Sequence, residues 1–364
     1  MKVKEIIKTI ESFAPIGLQE PWDNSGLIIG DKESNVTGIL LSLDITESIL
    51  DEAAELGCNM IVSHHPMVFS GMKRFTGKDY TSRLVRRAIK EDFIIYSAHT
   101  NLDQVPEGVS GEMSKKLGLL ETKILVPRKD DLMKLVCFVP SKHLEDVSRA
   151  VYDVGAGQIG NYDSCGYSSQ GTGTFRAGEG SDPFVGNIGE VHREEEARFE
   201  TIFTKHLKQK VVTALIHAHP YEEVAYDLYP IVNENSGLGL GLVGNLSEPI
   251  GELDFIQKVK NIFGSPCIRH TKLLNKDIRR VAVCGGSGAE FLAHAKGSGA
   301  DAYITADVKY HQFFDSDSEI LLLDIGHYES EQVALSIFNR LFLKKMTNFA
   351  VHLSKISTNP INYF

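Results

Sequence analysis

Cysteine is scarce in this 364-residue chain, and the five present, Cys58, Cys137, Cys165, Cys267 and Cys284, form no CxxC or other paired spacing. An odd, scattered set argues against a disulfide scaffold or a thiolate metal site, and a reducing cytoplasm is the expected compartment. A basic excess is missing too. Lysine and arginine number 38 against 48 aspartates and glutamates, a formal net charge of −10. Nucleic-acid affinity comes mainly from cationic side chains neutralising phosphates, so nucleic acid is not the expected partner. No run approaches the ~18 uninterrupted apolar residues of a membrane span. The first eight residues, Met1-Lys2-Val3-Lys4-Glu5-Ile6-Ile7-Lys8, put charge into every turn where a signal peptide would be apolar.

The rest of the composition is that of a globular protein, with 42% hydrophobic and 24% charged residues. At roughly 150 residues per domain the length suggests two domains. Apolar residues recur at helical spacing over 3–13, 49–56 and 82–90, and short buried-strand runs occupy 38–43, 59–63 and 93–97. The same alternation returns at 280–284, 302–304 and 320–324, with helices near 289–296 and 328–343. Apolar runs alternating with amphipathic helices predict βαβ units and a largely parallel α/β sheet. Between the halves, strand 132–139, helix 144–154, a Gly/Ser-rich stretch over 155–189, strand 197–204, helix 206–217 and strand 224–231 predict a ferredoxin-like α+β domain. The glycines of 237–244 read as the return linker. The expected organisation is therefore a host domain built from both chain ends, 1–128 and 247–364, interrupted by an inserted domain at 129–246.

Three strand ends carry residues suited to metal chemistry. Ser63-His64-His65-Pro66 follows one predicted buried strand, and Ser97-Ala98-His99-Thr100-Asn101-Leu102-Asp103 follows another. Ligands in open α/β sheets bind outside the carboxyl ends of strands. In the third element, Asp324-Ile325-Gly326-His327-Tyr328-Glu329-Ser330-Glu331, His327 and Glu331 are four apart and share a helical face; Glu329 is expected to be exposed and to face away. Each motif alone also fits a surface turn or a solvated helix. Together His64, His65, Asp103, His327 and Glu331 make five N/O ligands, enough for two ions that activate a shared water. Imidazole and carboxylate ligands favour two divalent transition-metal ions, Zn, Fe, Mn, Co or Ni. Glu331 or Asp103 would bridge them or position the water.

The motifs Pro21-Trp22-Asp23-Asn24-Ser25-Gly26-Leu27, Ser63 to Pro66, His99 to Asp103, Thr305-Ala306-Asp307-Val308-Lys309-Tyr310-His311 and Gly326 to Glu331 resemble those of the GTP cyclohydrolase I type 2 homolog family, also called NGG-interacting-factor-three-like proteins. The likeness spans essentially the whole chain. The insert resembles the family's long form, which carries a PII/CutA-like domain, most clearly at residues 219–226. The resemblance implies dinuclear ligands at the same five positions, and toroidal homo-oligomers, commonly hexamers, whose metal sites face an internal cavity with the insert as lid or trimer contact. Ala306 departs from the family, which usually has glycine there, and puts close backbone approach at that turn in question. Trp22, Asp23 and Asn24 are expected to line a substrate pocket or, alternatively, to pack and turn. His99, Asp307, Lys309 and His311 are expected behind the ligating imidazoles, which usually need a partner on the other nitrogen. The Cys284 to Gly288 turn has the glycines of a phosphate cradle but no P-loop lysine. In the insert, Tyr162-Asp163, Gly171 to Phe175 and His219 to Glu223 have the polar content of a small-ligand site.

Two functions follow as expectations. One is a metal-dependent hydrolase acting on a nucleotide-like or other small heterocyclic or phosphoester substrate. The other is a non-enzymatic metal-binding ring serving as scaffold or regulator, which a sealed, saturated site would favour.

Overall fold

The computed structural model describes residues 1–364. Its strands are, in chain order, β1 (Gly26–Ile29), β2 (Ile39–Ser42), β3 (Met60–Ser63), β4 (Ile94–Ser97), β5 (Leu120–Arg128), β6 (Leu132–Pro140), β7 (Gly166–Arg176) and β8 (Val191–Thr204). There follow β9 (Tyr226–Pro230), β10 (Asn235–Ile250), β11 (Arg269–His270), β12 (Ile278–Ser287), β13 (Ala302–Ala306), β14 (Leu321–Asp324) and β15 (Val351–Leu353). The chain divides into two units, residues 1–127 with 237–364, and residues 128–236. No helix is long and apolar enough to cross a membrane.

The larger unit is a mixed α/β structure with two sheets. One has the order β1-β4-β3-β2-β15, the other β11-β14-β13-β12-β10-β5. Each has a parallel centre, β15-β2-β3-β4 and β12-β13-β14. Antiparallel strands β1, β10 and β11 flank these centres. Every residue of β2, β3, β4 and β14 is buried, which is why these strands read as unbroken apolar runs. The helix Val3–Phe13 supplies Val3, Ile6 and Ile10 to the same core as Leu41, Val62, Tyr96, Ile304, Leu323 and Phe338. Its first turn is closed by the Glu5 carboxylate, which accepts from the Lys2 backbone N–H at 2.7 Å.

One reading of the sequence is overturned here. Residues 237–244 are not a linker but part of β10, where Leu238, Leu240 and Leu242 alternate with glycines. The glycines serve close packing: a Cβ on Gly239 would overlap the Val126 carbonyl of β5, and one on Gly244 would press on Leu120 and Thr122. These contacts also run β5 and β10 antiparallel.

The smaller unit has the succession β6, helix Leu144–Asp153, β7, β8, helix Lys208–Ala218, β9. Its sheet order is β7-β8-β6-β9, antiparallel throughout. β7 lies inside the Gly/Ser-rich stretch, where its mostly exposed residues give no apolar signal. Leu135, Cys137, Val147, Val151, Phe199, Phe203, Val211 and Leu215 form the core between sheet and helices.

Candidate metal centre

Parallel register brings the functional strand ends to one rim. Ser42 of β2 is level with Ser63 of β3, and Ser63 with Ser97 of β4. Their hydroxyls tie the exits together: Ser63 Oγ and Ser97 Oγ are 2.8 Å apart, and Ser63 Oγ donates to the His65 carbonyl at 2.8 Å. Just beyond these serines come Asp44, then His64 and His65, then His99. The second sheet contributes from its own strand ends, with Asp307 after β13 and His327 and Glu331 after β14.

Three imidazoles are anchored in the same way. Nδ1 of His64 donates to the Ala98 carbonyl at 2.9 Å, that of His65 to Asp44 Oδ1 at 2.7 Å, and that of His327 to Asp307 Oδ2 at 2.8 Å. Their Nε2 atoms are thereby turned toward Glu331 Oε2, at 3.8, 2.7 and 2.9 Å. His65 Nε2 and His327 Nε2 are 3.3 Å apart. Asp103 Oδ1 lies 3.8 Å from His64 Nε2, and both atoms are buried without a hydrogen-bond partner. Two buried polar atoms that face one another without a hydrogen bond are an arrangement a cation between them satisfies. Two sets of ligand atoms, from His64, His65 and His99 and from His65, His327 and Glu331, each lie within 4.8 Å of one another and could hold a metal ion.

The protonation of the ion-free cluster follows from this crowding. Burial pushes the His65 imidazole down, but Asp44 and Glu331 outweigh it and pull its pKa up to about 9. His327 is likewise depressed by burial and raised more strongly by Asp307 and Glu331, to about 11. Burial, reinforced by the Glu331 charge, pushes Asp103 up to about 7. For Glu331 burial acts upward, while His327, His64 and His65 hold it well below the usual carboxylate range.

Gly286 makes room for the carboxylate. Its φ is +59°, and a Cβ there would overlap Glu331. The Cys284 to Gly288 segment therefore walls the site and cradles Glu331. Ala306 needs no glycine: it is a buried end residue of β13, and the left-handed position belongs to Asp307, φ 55°.

Around the cluster lies a cavity of about 720 Å³, lined among others by Trp22, Phe69, His99, Ser287, Phe291 and Thr358. Trp22 is 61% exposed, so the only tryptophan is not a core residue. It meets His99 edge-on at 6.0 Å, and Phe69 does so at 5.5 Å. Asp23 is a buried hub behind His99 rather than a wall residue: it accepts from His99 Nδ1, from Thr100 N–H and hydroxyl, and from Ser25. Burial pushes its carboxyl up, yet these donors hold it far below the usual range. Asn24 ties the Val68 carbonyl at 2.6 Å. Asp307 stands behind His327 as described, whereas His311 is exposed and packs on Tyr310 and Phe314, not on the cluster.

Glu329 is a correction. It is buried, and its carboxylate accepts from Asn359 Nδ2 at 3.0 Å in the C-terminal segment. Facing away from His327 sends it into the protein, not into solvent. Asp44 went unsuspected, although it follows β2 as His65 follows β3. Thr358, which donates to Asp44 Oδ2 at 2.6 Å, has no local sequence signal at all.

A family description, Duf34/NIF3 (NGG1p interacting factor 3), matches residues 1–360. A GTP cyclohydrolase 1 type 2 homolog of Halalkalibacterium halodurans is 40% identical over 363 residues, 98% of each chain. One from Bacillus subtilis is 35% identical over 365 residues, 99% of this chain and 98% of the relative. The crystal structure of a Bacillus cereus protein related to NIF3 is 38% identical and matches with a TM-score of 0.85 over 100% of this chain and 99% of that one. With its sequence motifs and its fold matched from end to end, this chain belongs to the DUF34/NIF3 family.

Proposed function

We propose that the cluster is a dinuclear metal centre serving a hydrolase, with His64, His65, Asp103, His327 and Glu331 as the residues that hold two divalent transition-metal ions. The observation that carries this reading is the shared Nδ1 anchoring that aims three Nε2 atoms at one carboxylate oxygen, the outer arrangement metal-binding histidines need. Such ions would supply Lewis acidity and acidify a water molecule near neutral pH. Glu331, whose Oε2 faces all three imidazoles, would serve as the common carboxylate for the ions, and Asp103 would orient the water. His99, fixed through Nδ1 by Asp23, is placed to accept or return a proton at Nε2.

The cavity favours an enzyme over a scaffold, because it opens beside the cluster and has both polar and aromatic walls. Trp22 and Phe69, exposed rings at its lining, suit a planar heterocycle, which supports a nucleotide-like substrate. The curated relatives' name, GTP cyclohydrolase 1 type 2 homolog, points the same way. We place the inserted module at residues 128–236 and read its β-α-β-β-α-β order as PII/CutA-like. The proposed assembly is a toroidal homohexamer, testable by light scattering as six times the 40.3 kDa chain.

The decisive experiment is metal analysis of the purified protein, then a screen of nucleotides, phosphoesters and cyclic amides with and without chelator. Two ions per chain are expected, with turnover lost on chelation and in Glu331→Gln. Turnover retained by metal-free His64→Ala protein would sink the proposal.

A further inference from the structure

The smaller unit has a cavity of its own, about 640 Å³, on the sheet face that its two helices leave uncovered. Strand alternation fixes that face. Phe199 and Phe203 of β8 belong to the helix-side core, so Glu196 and Arg198, of the opposite parity along the strand, point to the other side. Gly171 of β7 lies opposite Glu196 and Gly173 opposite Glu194, and a Cβ on Gly173 would overlap the Glu196 carboxylate. Alternate glycines thus leave the cavity floor bare as far as Phe175. The spacing Gly171-Thr172-Gly173-Thr174-Phe175, noted in the sequence for its polarity, acquires a physical reason.

Glu196 is only 8% exposed. The Tyr221 hydroxyl donates to its Oε1 at 2.9 Å, its one side-chain hydrogen bond. No cation pairs with it. Arg198, two residues along the strand, is held by Glu200 at 2.9 Å. His219, next to Tyr221, has both nitrogens engaged as a neutral ring: Nε2 donates to the Phe138 carbonyl at 3.0 Å and Nδ1 accepts from the Tyr221 N–H at 3.1 Å. A carboxylate buried without a positive partner is costly. Three rings stand beside it in a lining that also includes Arg176: Phe175 and Phe184 lie 6.0 and 6.2 Å from Tyr221, inclined at 59° and 50°. Glu222 accepts from the Asp182 N–H at 3.1 Å and so ties down the loop that carries Phe184. Ring faces and a carboxylate both attract positive charge.

We infer that this cavity binds a small organic cation bearing N–H donors, a primary ammonium or guanidinium group, with Glu196 Oε2 as its acceptor and Phe175, Phe184 and Tyr221 as its apolar walls. A quaternary ammonium would suit the rings but leave Oε2 without a donor. The volume is within the range of small-molecule sites, about 300–1,000 Å³.

The test is calorimetric titration of the full chain, at about 0.15 M salt to suppress diffuse attraction to an acidic protein, with butylammonium, putrescine, spermidine, agmatine and tetramethylammonium. At least one N–H cation should bind saturably at one per chain and more tightly than tetramethylammonium. Glu196→Gln, nearly isosteric, should weaken it about tenfold or more, as expected for loss of a charge-assisted bond. Phe184→Ala on the covering loop should weaken it several-fold. Glu145→Gln, the same charge change on an exposed helix position, should leave it unaltered. The inference is overturned if none of the series saturates, or if Glu196→Gln binds as the wild type does. It is overturned equally if Glu196→Gln alters the sedimenting mass without ligand, for then a second copy of the chain supplies the cation.

Discussion

Asp44 does for His65 what Asp307 does for His327: each accepts the hydrogen bond from Nδ1–H and leaves Nε2 to face Glu331. Asp44→Asn keeps the shape but lets the amide turn an N–H toward the ring, so His65 loses its fixed tautomer. Metal affinity should fall roughly 10–100-fold, the usual cost of losing such a partner, with the far-UV spectrum unchanged; competition against a chelator measures it, and an unaltered affinity would remove Asp44 from the site. The same carboxylates set the pH response. In the ion-free cluster His65 and His327 have pKa values near 9 and 11, so at neutral pH both rings hold protons that metal must displace. Affinity should therefore rise with pH, and titrations in buffers of different ionisation heat should show release of about one to two protons per chain. For the chelated protein the sign reverses. The folded state keeps protons that the unfolded chain gives up above about 6.5, so the contribution of these two rings to stability is full below that value and is lost as pH climbs through 9 and toward 11. Denaturant midpoints of chelated protein at pH 6.5 and pH 9 read this directly.

At the level of strands and helices, the site exists because two parallel sheet centres end at the same place. The buried strands were legible: 60–63, 94–97 and 321–324 are apolar on both faces, as parallel strands must be. From them followed the strand-end position of His64, His65, Asp103 and His327. What was not legible had no local signal. β7 is a strand of glycine, serine and threonine whose partner, β8, holds it by backbone pairing. The glycines of β10 look like a linker, although Gly239 and Gly244 let β5 come close and Gly241 makes room for both β5 and the Val283 carbonyl of β12. Asp44 and Glu329 depend on segments more than 300 and about 30 residues away, Thr358 and Asn359. Gly286, at the end of β12, is the sharpest test of the element geometry. Alanine there must adopt φ near +59° and meet the Glu331 carboxylate. Gly286→Ala should destabilise the fold by about 1–3 kcal/mol and lower metal content far more than a remote variant of equal stability. Thermal melting with metal analysis separates the two effects, and full metal content at lowered stability would mean Glu331 does not need this cradle.

At the scale of the whole chain, the larger unit receives its insertion between two strands that are already neighbours. β5 and β10 lie side by side at the edge of the six-stranded sheet, and Val126 lies against Gly239 as Leu120 lies against Gly244. The chain thus leaves the sheet at Arg128 and rejoins it at Asn235 with the two ends held together by an antiparallel pair, where a two-residue type I′ turn such as Asn-Gly could close a hairpin. Every residue proposed to hold metal, and every residue that anchors one, belongs to the larger unit, whose core residues come from its two segments alone. The smaller unit has a separate core of its own. Replacing 129–236 by Asn-Gly should therefore give a protein that unfolds cooperatively and holds as many ions per chain as the full-length form. Closing a shorter loop also costs less entropy, so no large fall in stability is expected. Circular dichroism melts and metal analysis of the shortened chain decide the matter. Failure to fold with the metal-ligand residues unaltered would show that the two units are one cooperative structure.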